Sequence, residues 1–389
     1  MREHILNEVE DYYDEMVEMR RYLHQHPELS FQEDKTAKFI ADQYHKLDIP
    51  YREHVGGNGV VATLKGAKPG KTIALRADFD GLPIQDEKDV PYKSTVDGVM
   101  HACGHDGHTT TLLTIAKIMK KHQQELQGTY VFVHQHAEEL APGGAKSIVE
   151  TGVLDDVDVV FGTHLWTNTP YGVVQTSPKE FMAGADRFSI TIQGKGGHGA
   201  MPHQTRDAIV IGSQLVTNLQ QIVSRRIDPL ATAVLTIGSF QAGNTFNIIA
   251  DTATLTGTVR TFDPELQDQI IVEMEKVIKG TCVTNDATYE FNYEKGYPPV
   301  VNHPDEAALI LTAAEQIEGI TKAEEVVPSM TGEDFSYYLL KKPGAFFFTG
   351  AQKDGQFYPH HHPKFDFDER AMVLAAKTLM QTAFLYQEK

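Results

Sequence analysis

TIALRADFD, at residues 72–80, is an apolar run that ends in two acids. Apolar runs at 130–134 and 157–162 are also followed closely by polar groups, and helical patterns at 109–121 and 145–151 alternate with them. Alternating strands and helices favour a doubly wound, largely parallel sheet flanked by helices. We therefore predict an α/β domain formed by residues 1–182 and 296–389. The apolar spacing of the first 26 residues predicts a single helix that ends at Pro27.

Residues 183–295 follow a different pattern. FSITIQ, at 188–193, alternates with period two, as one-sided antiparallel strands do. A helix, strands near 233–240 and 252–261, a second helix at 264–279 and a strand at 289–293 follow it. This order is the split βαβ arrangement of ferredoxin-like domains, so we predict an inserted α+β domain here.

Composition argues against several classes of partner. The 35 basic and 53 acidic residues give a net charge of −18, which repels nucleic acid and anionic membrane surfaces. The acidic N-terminus is unlike a secretion signal, and we find no apolar run of about 18 residues. With only two cysteines, Cys103 and Cys282, we expect a cytoplasmic protein without disulfides.

Metal-binding residue types follow the predicted strands. Ligands gather beyond the carboxyl ends of strands in open α/β sheets. Thiolate, imidazole and carboxylate together suit a borderline divalent ion, and more donors occur here than one tetrahedral ion needs. One of two adjacent glutamates can then bind metal while the other acts as a base. The candidate donors are Cys103, His105, Glu138, Glu139, His164 and one of His360, His361 and His362.

Other readings of these residues remain open or are set aside. Asp80 and Asp106 either fix loops or support ligand histidines. A metal-binding scaffold without catalysis is an alternative; a cysteine hydrolase is disfavoured, because nearby carboxylates would raise the pKa of the Cys103 thiol. GKGGHG at 194–199 matches a dinucleotide fingerprint only formally, since no helix follows directly. His198 in that loop suits ligand contact, and Asn247 and Arg260 could bind a carboxylate.

Together these motifs resemble the aminoacylase and carboxypeptidase G family of dinuclear metallohydrolases. The similarity is greatest to its amidohydrolase branch of hippurate hydrolases, N-acetyl-diaminopimelate deacetylases and auxin-conjugate hydrolases. It covers nearly the whole chain and rests on RADFDGLP at 76–83, HACGHD at 101–106, Glu138-Glu139, GGHGA at 196–200 and NIIAD at 247–251.

The resemblance implies a role for each residue. Cys103 would bridge two divalent ions, Mn²⁺ or Zn²⁺ with Co²⁺ or Ni²⁺ as alternatives, and the other ligands would be His105, Glu139, His164 and His361. Glu138 would be the general base for a metal-activated water that cleaves the amide bond of an N-acyl amino acid or a dipeptide. From the inserted lid and dimerisation domain of a homodimer, His198 would polarise the carbonyl in the partner's site. Asn247 and Arg260 would bind the substrate carboxylate. The triple histidine leaves His361 open against its two neighbours.

Overall fold

The computed structural model describes residues 2–355 and 357–389. Its chain forms two compact units. The first comprises the residues up to Phe181 together with Val300–Pro328 and Asp334–Lys389, and the second comprises Met182–Pro299 and Ser329–Glu333. The expected insertion, 183–295, falls within the second unit, which also includes residues 182, 296–299 and 329–333.

The N-terminal segment forms two helices, whereas the sequence predicts a single one. Tyr12, at φ −97° and ψ 3°, interrupts the helical hydrogen-bond pattern, so the prediction of a single helix over the first 26 residues is wrong. Apolar spacing continues across this break and therefore does not reveal it. In chain order the helices are α1 (Arg2–Asp11), α2 (Tyr13–Gln25), α3 (Asp34–Lys46), α4 (His105–Lys121), α5 (Gly144–Glu150), α6 (Ala208–Gln221), α7 (Pro264–Thr284), α8 (Pro304–Ala314), α9 (Ser336–Lys341) and α10 (Ala371–Tyr386).

The strands extend beyond the apolar runs that predict them. They include short edge strands that carry no strong sequence pattern. In chain order they are β1 (Tyr51–Val55), β2 (Gly59–Lys65), β3 (Lys68–Asp78), β4 (Gln127–Gln135), β5 (Val159–Pro170), β6 (Val173–Thr176), β7 (Glu180–Met182), β8 (Gly184–Gln193), β9 (Gly197–His198), β10 (Ala233–Ala242), β11 (Ile248–Ile249), β12 (Thr252–Thr261), β13 (Thr288–Tyr297), β14 (Val300–Val301), β15 (Lys322–Glu325) and β16 (Gly344–Gln352).

The first unit is built on an eight-stranded sheet in the order β1-β2-β4-β3-β5-β16-β6-β15. Its four central strands, β4, β3, β5 and β16, pair in parallel, whereas β1, β2 and β6 pair antiparallel to their inner neighbours. This confirms the predicted α/β class. Because β3 and β4 are parallel, Asp78 and Gln135 end side by side at one edge of the sheet.

Helix α4 starts at that edge. Gly104, at φ 97°, occupies the left-handed region directly before His105, where a residue with a side chain would be strained. Most of α4 is buried, as is most of α10. The tight turn and the buried helix therefore fix where His105 lies. Within the part of the chain described here, none of the helices combines the length and apolar character needed to cross a bilayer.

The second unit contains a four-stranded antiparallel sheet in the order β10-β12-β8-β13. Helices α6 and α7 supply apolar side chains to the same core as the strands. Chain order β8-α6-β10-β12-α7-β13 is the β-α-β-β-α-β order predicted from the sequence. A two-stranded ribbon pairs β9 with β11 and places His198 opposite Ile248.

Candidate metal centre

The candidate donors of the first unit converge at the sheet edge. Three groups that consist only of these donors have potential ligand atoms within 4.8 Å of one another. Cys103 belongs to two of them, and His105 also belongs to two. The groups are Cys103 with His105 and His164, Cys103 with Glu139 and His361, and His105 with Glu138 and Glu139.

His105 has the orientation of a metal ligand. Its Nδ1 lies 3.0 Å from Asp80 Oδ1, so this nitrogen carries the proton that the carboxylate accepts. Its Nε2 is buried without a hydrogen-bond partner, 3.9 Å from oxygens of both Glu138 and Glu139. Burial alone would lower its pKa, but the charges of Asp78 and Asp80 raise it to about 10. A cation at this position would replace the proton and neutralise the surrounding acids.

His164 is arranged in the same way. Its Nδ1 lies 3.0 Å from the carbonyl of Leu165 and donates to it, and its Nε2 lies 3.4 Å from Cys103 Sγ. Burial, with the neighbouring imidazoles of His108 and His360, holds the pKa of His164 well below its usual value, so the ring is neutral. The Nε2 lone pair therefore faces the thiol.

Cys103 is a buried thiol among acids. Burial, followed by the charges of Glu139 and Glu138, raises its pKa well above the usual value. A thiol without a cation would thus stay protonated and be a poor nucleophile. A metal thiolate is the form in which this sulfur could act, and the mixed sulfur, nitrogen and oxygen donors fit divalent transition ions.

The three C-terminal histidines have different surroundings. His361, at φ 65°, places Nε2 3.2 Å from Glu139 Oε1. His360 Nε2 accepts the Thr167 N–H at 3.1 Å, and burial lowers the pKa of His360 to about 3, so its neutral ring carries the proton on Nδ1. That nitrogen lies 3.8 Å from Cys103 Sγ, which makes His360 a donor toward the sulfur rather than a ligand. His362 accepts the Lys364 N–H.

The two predicted supporting acids lie in different places. Asp80 contacts His105 and also accepts the Glu139 N–H at 3.0 Å, so it links two candidate ligands. Asp106 instead accepts hydrogen bonds from Arg20 at 2.9 Å and His24 at 2.7 Å. Any support from Asp106 for the ligand histidines therefore passes through the start of α4.

Sequence reasoning missed several residues of the cluster. Asp78 Oδ1 accepts from His108 Nδ1 at 2.6 Å, and His108 Nε2 accepts the Leu165 N–H at 2.9 Å. His360 was named only as one of three possible ligands, and its contact with the thiol was not predicted. The position of Asp78 at the end of an apolar strand is a signal that could have identified it. The roles of His108 and His360 depend on contacts between distant segments.

The remaining candidates lie in the second unit. His198 is exposed, and its Nδ1 accepts the Ala200 N–H at 3.1 Å, so its Nε2 carries the proton in the neutral ring. Asn247 is also exposed. It lies next to His198, because its backbone carbonyl accepts the Gly199 N–H at 2.9 Å. Arg260 is half-buried near the C-terminal end of β12. Gly332 leaves room for its guanidinium, because a Cβ added at Gly332 would lie only 3.1 Å from Arg260 Nη1.

Together, the α/β sheet and the largely buried donor cluster at its edge are typical of an α/β protein with a metal-binding site. Residues 74–384 match the model of the peptidase family M20/M25/M40, and the chain belongs to this family. It is 53% identical over 390 residues to YhaA of Bacillus subtilis, covering 100% of this chain and 98% of that protein. It is 47% identical over 304 residues to an N-acyl-L-amino acid amidohydrolase of Geobacillus stearothermophilus, covering 78% and 82%.

A solved structure agrees with the fold. YxeP of Bacillus subtilis, a dinuclear metal-binding peptidase of the M20 family, superposes with a TM-score of 0.83 at 35% identity. The match covers 97% of this chain and 99% of that one. The family and these relatives identify the protein as a hydrolase that acts on amide bonds, which confirms the predicted enzyme class and family.

Cys103 and Cys282 provide a matched pair of variants for the cluster. Cys282 is buried in the core of the second unit, on α7. We expect Cys103→Ala to lose much of its bound metal, because the sulfur belongs to two donor groups, and Cys282→Ala to keep the wild-type content. Elemental analysis of folded proteins measures both. Equal metal content in the two variants would remove Cys103 from the site.

Proposed function

We propose that the protein hydrolyses the amide bond of N-acyl amino acids with two divalent cations held in the cluster. The observation that carries this proposal is that Cys103 is shared by two donor groups, one with His105 and His164 and the other with Glu139 and His361. A thiolate shared by two donor groups would be able to hold both ions. The Geobacillus relative is named for N-acyl amino acids, and YxeP for binding two metals, which supports this substrate class and stoichiometry.

The ions, which we propose to be Mn²⁺ or Zn²⁺, would supply Lewis acidity toward water and the substrate carbonyl. Glu138 is buried, 7% exposed, with Oε2 3.9 Å from His105 Nε2. We assign it the role of general base, because Glu139 and His105 occupy the ligand positions around it. Glu138 would accept a proton from the attacking water and pass it to the departing nitrogen, the usual exchange of base and acid roles.

The second unit would supply the remaining contacts, as a lid and dimerisation domain. The Nε2 proton of His198 is free to donate to the oxygen of the cleaved carbonyl, a form of oxyanion stabilisation. Arg260, with Asn247, would bind the substrate carboxylate. Exposed apolar side chains on α6 and β10 support a dimer through this unit: Ile209, Val210, Val234 and Phe240.

The two-stranded ribbon that carries His198 and the residue Arg260 lie at opposite ends of strand β12. The ribbon that carries His198 leads into β12 at Thr252, whereas Arg260 lies eight residues along that strand. At roughly 3.3 Å per residue Thr252 and Arg260 are about 26 Å apart. One small substrate is shorter than this, so we propose that it meets Arg260 of one subunit and His198 with Asn247 of the other.

Chelation combined with a substrate panel tests the proposed reaction. We expect activity on N-acetyl or N-benzoyl amino acids that is lost with a chelator and restored by Mn²⁺ or Zn²⁺, because the ions would supply the Lewis acidity toward water and the substrate carbonyl. Chelator-resistant activity would indicate a thiol enzyme, and metal binding without turnover would indicate a scaffold. Preference for dipeptides over N-acyl substrates would make the protein a dipeptidase.

Glu138→Gln tests the assigned base. The amide keeps the shape of the side chain but cannot accept the proton, so we expect kcat to fall by about 10²–10⁴-fold. Metal content should stay at the wild-type level, since Glu139 remains. Glu150→Gln, at the exposed end of α5, is the control and should be fully active. A near-normal rate for Glu138→Gln would exclude it as the base.

Mixing two inactive variants tests the exchange between subunits. Glu138→Gln and His198→Ala each inactivate a site, but a mixed dimer contains one site with both residues intact. Random reassociation should therefore restore roughly a quarter of wild-type activity. Activity that remains at the level of the separate variants, with subunit exchange confirmed by mass, would show that His198 does not serve the partner.

A further inference from the structure

Glu33 is a buried acid beside the cluster that the mechanism above does not use. It is 0% exposed at the start of α3. Its Oε1 accepts the Ala137 N–H at 2.8 Å, and its Oε2 accepts from Asn58 Nδ2 at 3.3 Å. Burial and the charge of Asp80 raise the pKa of Glu33 to about 7. Because an acid is costly to bury, its position calls for an explanation.

Ala137, which Glu33 holds, directly precedes Glu138 and has an unusual backbone. Its φ is 51°, in the left-handed region, although it has a side chain, and it is fully buried. Non-glycine residues keep this conformation only where their surroundings enforce it, and such residues cluster at functional sites. The hydrogen bond that the Ala137 N–H donates to Glu33 is one such constraint, since it fixes the direction of this N–H.

A second carboxylate holds the other side of Glu138. Asp80 Oδ2 accepts the Glu139 N–H at 3.0 Å and the Ser30 hydroxyl at 2.7 Å. The backbone amides of residues 137 and 139 are thus each held by an acid from a distant part of the chain. Glu138 lies between these two points, so its backbone has little freedom to rotate.

We propose that Glu33 is a positioning residue that aims the Glu138 carboxylate by fixing the backbone at Ala137. The inference rests on the proposed role of Glu138 as base. Glu33 acts through the Ala137 amide and not on the substrate. Asp80 has the corresponding role for the proposed ligands, since it accepts hydrogen bonds from the Glu139 amide and from His105. Glu33 instead fixes the amide of Ala137, directly before the proposed base.

Glu33→Ala and Glu33→Gln separate this role from a merely structural one. In Glu33→Ala the Ala137 N–H loses its acceptor, so the backbone before Glu138 can shift. Because a shift of about 1 Å in a catalytic group can lower the rate about 100-fold, we expect kcat to fall by about 100-fold. KM and metal content should stay near wild type, because Glu139 is still held by Asp80. Glutamine keeps an oxygen that can accept the Ala137 N–H. If the side-chain amide of Asn58 rotates by 180°, glutamine can also donate to the Asn58 oxygen, so kcat should return to within a few-fold of wild type.

Glu28→Ala is the matched control. Glu28 Oε2 also accepts a backbone N–H, that of Thr36 at 2.8 Å, in the same segment of the chain. Its loss should lower stability comparably and leave kcat unchanged. Wild-type kcat in Glu33→Ala would overturn the proposal, as would equal losses of kcat in Glu33→Ala and Glu28→Ala, or no rescue by glutamine.

Crystal structures make the inference testable even if the proposed reaction is wrong. Should the wild-type protein cleave none of the panel substrates, the proposed function fails, but the positions of the side chains can still be compared. In Glu33→Ala we expect Ala137 to leave the left-handed region and Glu138 Oε2 to move by about 1 Å or more relative to His105 Nε2. An unchanged Ala137 and Glu138 would overturn the positioning role.

Discussion

Burial of acids and metal-type donors in one small volume is the constraint on which this structure depends. Glu138 and Glu139 both lie 3.9 Å from the unpartnered Nε2 of His105, beside a thiol whose pKa their charges raise. Grouping buried acids costs free energy unless positive charge compensates them. Protons can supply this charge in part, as the raised pKa of His105 shows. Divalent ions would supply it fully and use every donor.

Several other buried acids are compensated by arginine side chains. Arg20 is fully buried and bonds Asp106 at 2.9 Å and Asp366 at 3.0 Å. Arg76 bonds both Asp78 and Asp334, and Gln135 adds hydrogen bonds to Asp334. These arginines give fixed, permanent compensation that ties helices and strands together around the site. Histidines, by contrast, line the cluster itself, and their charge can be exchanged for that of a metal ion.

How much the sequence predicts depends on whether a feature is local. Apolar periodicity predicts the strand that ends near Asp78 and the helical pattern at 109–121, so the α/β class and the site edge were predictable. Helix α4 begins four residues earlier than predicted, at His105, where the apolar pattern is absent. The break at Tyr12 was not, because apolar spacing continues through it. Which of the three C-terminal histidines faces the acids was also not predictable, since it depends on the left-handed turn at His361 and on the Thr167 N–H that occupies His360.

Asp80 shows why orientation in such a site must be shared among several acids. One of its oxygens accepts a hydrogen bond from His105, and the other accepts from both Ser30 and the Glu139 amide, so its hydrogen-bonding capacity is taken up by two candidate ligands and Ser30. A further carboxylate is then needed to hold the preceding amide at Ala137. Glu33 fills that position at the cost of lying near Asp80, and the repulsion contributes to its raised pKa. Glu33 accepts the neutral Ala137 N–H through one oxygen, so it can keep this hydrogen bond whether its carboxyl group is protonated or ionised. Asp80 faces the imidazole of His105, and its hydrogen bond to that ring is strongest when Asp80 is ionised.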